Sequence, residues 1–155
     1  MRQAQLDILS EPYTGFASAI DIGDPADIHP KNKQEVGRRL ALEAERIVYG
    51  MKVISRGPMY SGTRIEGNKI RVSFTDIGTG LAVKGEKLKQ FSIAGADGNF
   101  VWADAVIDGN TVVVHSDKVK TPKYVRYAWL SYPAGANLYN REGLPACPFA
   151  IDFVK

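Results

Sequence analysis

Glu66-Gly67-Asn68-Lys69-Ile70-Arg71-Val72-Ser73-Phe74 is the stretch on which the fold turns. Ile70, Val72 and Phe74 alternate with Arg71 and Ser73, and a period of two puts the apolar set on one face of a strand and the polar set on the other. Gly67 and Asn68 precede the run and suit the positive φ angles that tight hairpins demand. The same punctuation recurs at Ala96-Asp97-Gly98-Asn99 and at Asp108-Gly109-Asn110. Between these signals lie further β-rich runs, Gln90 to Ala94, Thr111 to His115 and Tyr124 to Leu130. Short strands at regular spacing predict an antiparallel β-sandwich from Val53 onward, over residues 53–155.

Upstream of Val53 the pattern changes. Val36, Leu40, Ala44, Ile47 and Val48 recur at helical intervals and predict a helix from Lys33 to Tyr49. Asn32 stands where a side chain caps the first free amides, Glu35 follows three residues on, and Gly50 supplies the stop. Pro30 should hold His29 out of that helix. Phe16 to Ile22 is mostly apolar and predicts a short strand of the kind buried on both faces of a parallel sheet. Residues 1–52 thus form a strand, loop and helix, a small α/β portion in a mainly β chain. In α/β layers ligand-contacting groups sit on loops beyond the carboxyl ends of strands, and here that loop carries Asp24, Asp27 and His29. One helix and one strand cannot build a complete α/β core. The apolar face of Val36, Leu40, Ala44 and Ile47 is therefore expected to be partly exposed or in contact with something else.

The 155 residues carry 20 Lys and Arg against 17 Asp and Glu, a net charge of +3 spread without a dense basic tract. Lys118, Lys120 and Lys123 form the largest local excess, too small to track a phosphate backbone, so no nucleic-acid partner is expected. No stretch approaches the ~20 apolar residues of a membrane span, the first residues show no signal-peptide core, and no membrane partner is expected. The single Cys147 excludes an internal disulfide and leaves the compartment unread; it is expected to be a small buried residue. Trp102 and Trp129 lie in strand-like runs and are expected to fill the core, with sugar stacking as the alternative if they are exposed. Arg126 is expected to pair with a carboxylate across a strand.

The loop Asp21-Ile22-Gly23-Asp24-Pro25-Ala26-Asp27-Ile28-His29-Pro30 holds the densest set of ionisable groups. A carboxylate that accepts one ring N–H of a histidine fixes its tautomer and stabilises the imidazolium formed when it takes a proton. Asp27 is the first candidate for that role and Asp24 the second. Two other readings stand beside it. An Asp-Pro-x-Asp stretch before a helix is also ordinary turn chemistry, and Asp21, Asp24 and Asp27 beside His29 could face a hard cation.

Asp21-Ile22-Gly23-Asp24, then Asp27-Ile28-His29-Pro30, Lys33, Val36-Gly37 and Arg39-Leu40-Ala41, resembles the C-terminal catalytic block of the sialate O-acetylesterase family in the SGNH hydrolase superfamily. Gly57-Pro58-x-Tyr60, Val125-Arg126-Tyr127-Ala128-Trp129, Asn137-Leu138-Tyr139-Asn140 and Gly143-Leu144-Pro145-Ala146 continue the likeness in the same order. The resemblance implies that residues 1–52 are the end of a flavodoxin-like SGNH domain and that His29 is the general base of a serine esterase. The implied substrate is an O-acetylated sugar, sialic acid or a polysaccharide acetyl ester, with no cofactor and no metal. For the full-length family it also implies an extracytoplasmic location.

Two departures qualify the likeness. Many members of the superfamily place the acid three residues before the histidine, where this chain has Ala26. The family's nucleophile block is absent, and none of the serines stands in a Gly-x-Ser-x-Gly elbow. Without nucleophile and oxyanion donors the chain alone is expected to hydrolyse nothing, until the missing SGNH portion is supplied in cis or in trans. A β-sandwich that binds carbohydrate or protein without catalysis is the alternative. Tyr132 to Phe149, rich in Pro, Gly and Asn, is the loop expected to reach the substrate, with Tyr139 and Asn140 as contacts; a self-packed loop is the competing reading.

Overall fold

The structure, a computed structural model, describes residues 2–29 and 31–152. Pro30, expected to fix the loop before the helix, lies outside them. The described chain is mainly β, with two short helices and antiparallel sheets. Helix α1 (Arg2–Asp7) runs into a single 3-10 turn (Ile8–Ser10), and α2 (Lys33–Ile47) follows a long irregular segment. Ten strands come next: β1 (Met59–Glu66), β2 (Lys69–Thr75), β3 (Leu81–Val83), β4 (Phe91–Ala94), β5 (Val101–Trp102), β6 (Asp104–Asp108), β7 (Thr111–His115), β8 (Tyr124–Tyr127), β9 (Leu138–Asn140) and β10 (Phe149–Ile151).

The strands form one sheet in the order β1-β2-β7-β6, a second in the order β10-β8-β4-β5, and a two-stranded pair β3-β9. Glu66 pairs with Lys69 and Asp108 with Thr111, so Gly67-Asn68 and Gly109-Asn110 are two-residue hairpin loops. Gly67 at φ 61° occupies the first central position, where a type II′ turn requires positive φ. Ile70, Val72 and Phe74 of β2 face inward with Val112 and Val114 of β7, and Phe91, Ile93, Val125, Tyr127 and Phe149 come from the second sheet to the same core. At its centre Phe91 lies 4.7 Å from Tyr127, and half-buried Tyr60 packs on its margin 5.0 Å from Phe149, ring centroid to centroid.

Helix α2 starts as expected. The Asn32 side chain accepts the Glu35 N–H at 3.1 Å, and the chain turns away at Gly50, φ 63°. Its orientation is set by charge. Arg39 and Glu43 are its buried residues, each 3% exposed, whereas Leu40 is 53% exposed and Ala44 is also exposed. The helix turns its ionic stripe onto the β body and leaves part of its apolar stripe uncovered.

Three expectations are corrected. Phe16 to Ile22 forms no strand: among the described residues no neighbouring strand takes its backbone groups, which turn locally instead, Ile22 N–H donating to Ala19 O at 3.2 Å. Tyr132 to Phe149 is not a projecting loop. It contains β9 and β10, and Asn137 pins it inward by accepting the Lys89 N–H at 2.9 Å and donating to Lys84 O and Lys87 O. Trp102 and Trp129 do not fill the core, being 62% and 38% exposed. Their places inside are taken by Phe91, Tyr127 and Phe149.

Candidate active site

The acidic loop is anchored at its root and open at its tip. At the root, Asp21 meets Arg39 in a bidentate ion pair, Nη1 to Oδ1 at 2.7 Å and Nη2 to Oδ2 at 2.8 Å. Arg39 also donates to the Ser18 carbonyl and, through Nε, to Glu35 Oε1 at 2.8 Å. Both charges are taken out of water, with 3% and 8% of the Arg39 and Asp21 side chains exposed. Such a pair holds only if its remaining hydrogen-bonding capacity is filled. Tyr139 fills it from the β body, its hydroxyl donating to Asp21 Oδ2 at 2.9 Å.

The protonation states follow from this geometry. Burial pushes the Asp21 carboxyl up, but the Arg39 guanidinium and the Tyr139 hydroxyl outweigh it and hold it below the usual carboxylate range. Glu35, gripped by Arg38 and then by Arg39, falls to about 2. Burial, followed by the neighbouring Asp21 charge, pushes the Tyr139 hydroxyl up, so it stays a donor at neutral pH.

At the tip, Asp27 Oδ1 accepts the His29 backbone N–H at 2.8 Å and lies 3.1 Å from His29 Nδ1. The carboxylate two residues upstream thus meets both the backbone and the ring of His29. The His29 side chain is 76% exposed and that of Asp27 49%, and Nε2 has no partner among the described residues. Asp24 faces elsewhere. Its Oδ1 caps the Ala26 N–H at 2.9 Å, the ordinary Asx-turn role. The three loop carboxylates do not converge: Asp21 is held by Arg39, Asp24 by backbone and Asp27 beside His29. No cluster of three metal-ligating side chains occurs among the described residues.

Tyr139 and Asn140, expected at the substrate, are 4% and 1% exposed. Tyr139 sits under the Lys84 ammonium, 3.7 Å from the ring centroid, with its hydroxyl on Asp21. Asn140 donates to Arg56 O at 3.1 Å and accepts the Leu144 N–H at 2.8 Å. Their polar atoms are used inside the protein, which corrects the expectation of substrate contact. Cys147 is buried, as expected, and burial pushes its thiol up to about 12, far from a nucleophilic thiolate.

Arg39 and Tyr139 are the anchors that sequence reasoning missed. A signal was present. Glu35, Arg39, Glu43 and Arg46 follow at intervals of four, four and three, one charged face of the helix. The second half of that face makes its own network: Glu43 Oε1 accepts from Ser55 Oγ at 2.8 Å and lies 3.4 Å from Arg56 Nε, and Oε2 accepts from Arg46 Nη2 at 2.6 Å.

No protein-family model matches the sequence. The chain is 29% identical over 152 residues to a sialate O-acetylesterase of Mus musculus, a match spanning 89% of this chain and 28% of that protein. The structure superimposes on the crystal structure of a carbohydrate acetylesterase from Xanthomonas citri with a TM-score of 0.94 and 44% identity, over 97% of this chain and 35% of that one. The likeness read from the motifs therefore extends over nearly the whole chain. The chain spans about a third or less of the length of these relatives.

Proposed function

We propose that this chain is the C-terminal part of a carbohydrate O-acetylesterase, and that it supplies the catalytic histidine loop and a β-sandwich that holds the loop in place. The contact between His29 Nδ1 and Asp27 Oδ1, at 3.1 Å on an open loop with a rigid root, carries the reading. In this role His29 Nε2 takes the proton of a serine hydroxyl as the serine attacks an acetyl ester, then returns it to the departing sugar hydroxyl. Asp27 holds the ring and stabilises the imidazolium. Arg39 and Asp21 are positioning residues, acting on the loop rather than on the ester.

The nucleophile and the oxyanion donors come, in this proposal, from an SGNH α/β portion outside this chain. The uncovered stripe of α2 is where that portion packs. The relatives are about three times as long as the chain, and Leu40, Ala44 and Val48 present an exposed apolar surface. The substrate is an O-acetylated sugar, by similarity to proteins named for sialate and carbohydrate acetyl esters.

The test replaces the matching segment of the Xanthomonas citri acetylesterase with this chain. The chimera should hydrolyse p-nitrophenyl acetate and lose about 10³-fold or more in kcat on His29→Ala. Retained turnover in the His29→Ala chimera would refute the catalytic role. Hydrolysis by the isolated chain that depends on His29 would refute the need for a second portion.

A further inference from the structure

We propose that the outer face of the β10-β8-β4-β5 sheet is a carbohydrate-binding platform, separate from the His29 loop, on which pyranose rings stack against Trp102 and Trp129. Ser92 pairs with Arg126 on one side and Trp102 on the other, so the three side chains form one row across neighbouring strands. Their neighbours along the strands, Phe91, Ile93, Val125 and Tyr127, point into the core. By alternation the row points outward.

Two backbone features bring the second indole to this row. Gln90 and Ala128 hold φ angles of 67° and 50°, and the Ala128 N–H donates to Gln90 O at 2.9 Å. Non-glycine residues in this left-handed region must be enforced by their surroundings, and such positions cluster at ligand sites. Gln90 leads into β4 and Ala128 ends β8, and the turn at Ala128 brings Trp129 to the cleft where Trp102 stands. The two indoles line an open cleft of about 430 Å³ with Ser92, Arg126 and Lys118.

The polar fittings match a sugar. A pyranose offers a flat C–H face, which packs on an aromatic ring, and a rim of hydroxyls, which needs donors and acceptors. Arg126 is fixed as a floor: Nε and Nη2 donate to Asp152 at 2.8 and 2.6 Å, and the guanidinium lies 3.7 Å from the Phe100 ring centroid. Lys118 is exposed and forms no ion pair among the described residues. Gln90 lines the cleft, its Nε2 donating to Ala134 O at 2.6 Å, while its Oε1 is buried without a hydrogen-bond partner and is not itself open to a ligand. Two exposed indoles beside these groups are a binding surface rather than stray apolar area.

The platform does not rest on the catalytic reading, because none of its residues belongs to the His29 loop. Titration of this chain with xylohexaose, cellohexaose and sialyllactose, followed by tryptophan fluorescence and calorimetry, tests it. Saturable binding to at least one sugar is expected. Trp102→Ala and Trp129→Ala should each weaken it on the order of tenfold, Trp102→Phe should retain most of it, and His29→Ala should leave it unchanged. Circular dichroism should show every variant folded, since Trp102 is more than half exposed. No saturable binding by the folded chain, or binding unaltered by removing both indoles, would overturn the proposal. So would binding of an oligothymidine at the indoles, or self-association abolished by Trp102→Ala, in preference to any sugar.

Discussion

At the scale of single residues, the Asp21–Arg39 pair shows how an open loop is held at its root by charges buried beneath it. Removing one member of a buried ion pair strands the other, which costs about 3–5 kcal/mol, so Arg39→Ala and Asp21→Asn should both lower stability steeply in urea titrations. Tyr139→Phe removes a single charge-assisted hydrogen bond and should cost about 1.5 kcal/mol. The same residues set the response to acid. The carboxyls of Asp21 and Glu35 titrate below their ordinary values of 3.8 and 4.5 when folded, so in the acid range the unfolded chain binds more protons than the folded one. Both contribute stability that is present above their ordinary values and lost in acid; for Glu35 the loss runs from pH 4.5 down to about 2. Denaturation midpoints between neutral pH and pH about 2.5 should show the gap between the wild-type chain and Glu35→Gln closing across that window.

Among the elements, α2 is the one whose two faces do different work. Its charged stripe carries Arg39 to the loop root and Glu43 to Ser55, while its apolar stripe faces outward. The Phe16–Ser18 segment closes over the charged stripe, and Gly57 makes the close approach that lets the chain from α2 pass under the β9–β10 connection. A Cβ at position 57 would meet the backbone carbonyls of Pro145 and Leu144, the latter at 2.6 Å, and neither can swing aside. Gly57→Ala should therefore cost about 3 kcal/mol, as overpacking against rigid backbone does. A thermal melt will show it. Gly62→Ala, where a Cβ meets nothing within 4 Å, is the control and should change little.

For the whole molecule, the balance between a β body whose core is buried and a helix with an exposed apolar stripe governs behaviour. The core drawn from both four-stranded sheets closes over itself, but Leu40, Val48, Tyr49 and Met51 are each at least half exposed. A surface of that kind should bind the dye anilinonaphthalene sulfonate. Leu40→Glu should reduce that binding and shift stability by only about 0.5 kcal/mol, because the side chain is already in water. The same change in the esterase chimera should impair assembly, read as lost turnover with helix content of the isolated chain unchanged.

The strands and hairpins were legible because their causes are local: alternation in Ile70 to Phe74 and glycine at the first turn position of Gly67-Asn68 and Gly109-Asn110 act within a few residues. The cap at Asn32 and the proximity of Asp27 to His29 were legible for the same reason, since two or three residues of chain bring the partners together. What lay beyond reach depends on partners far along the chain. Phe16 to Ile22 has the composition of a strand, but a strand exists only where a second one offers its backbone, and none does among the described residues. Tyr139 resembled a contact residue until folding brought Asp21, distant in sequence, against its hydroxyl. Trp102 and Trp129 carry the largest side chains of their runs, yet the interior was filled by Phe91, Tyr127 and Phe149. Local sequence fixes which face a residue takes within its strand, but which face of the sheet meets the core is settled by competition among distant side chains for a limited volume.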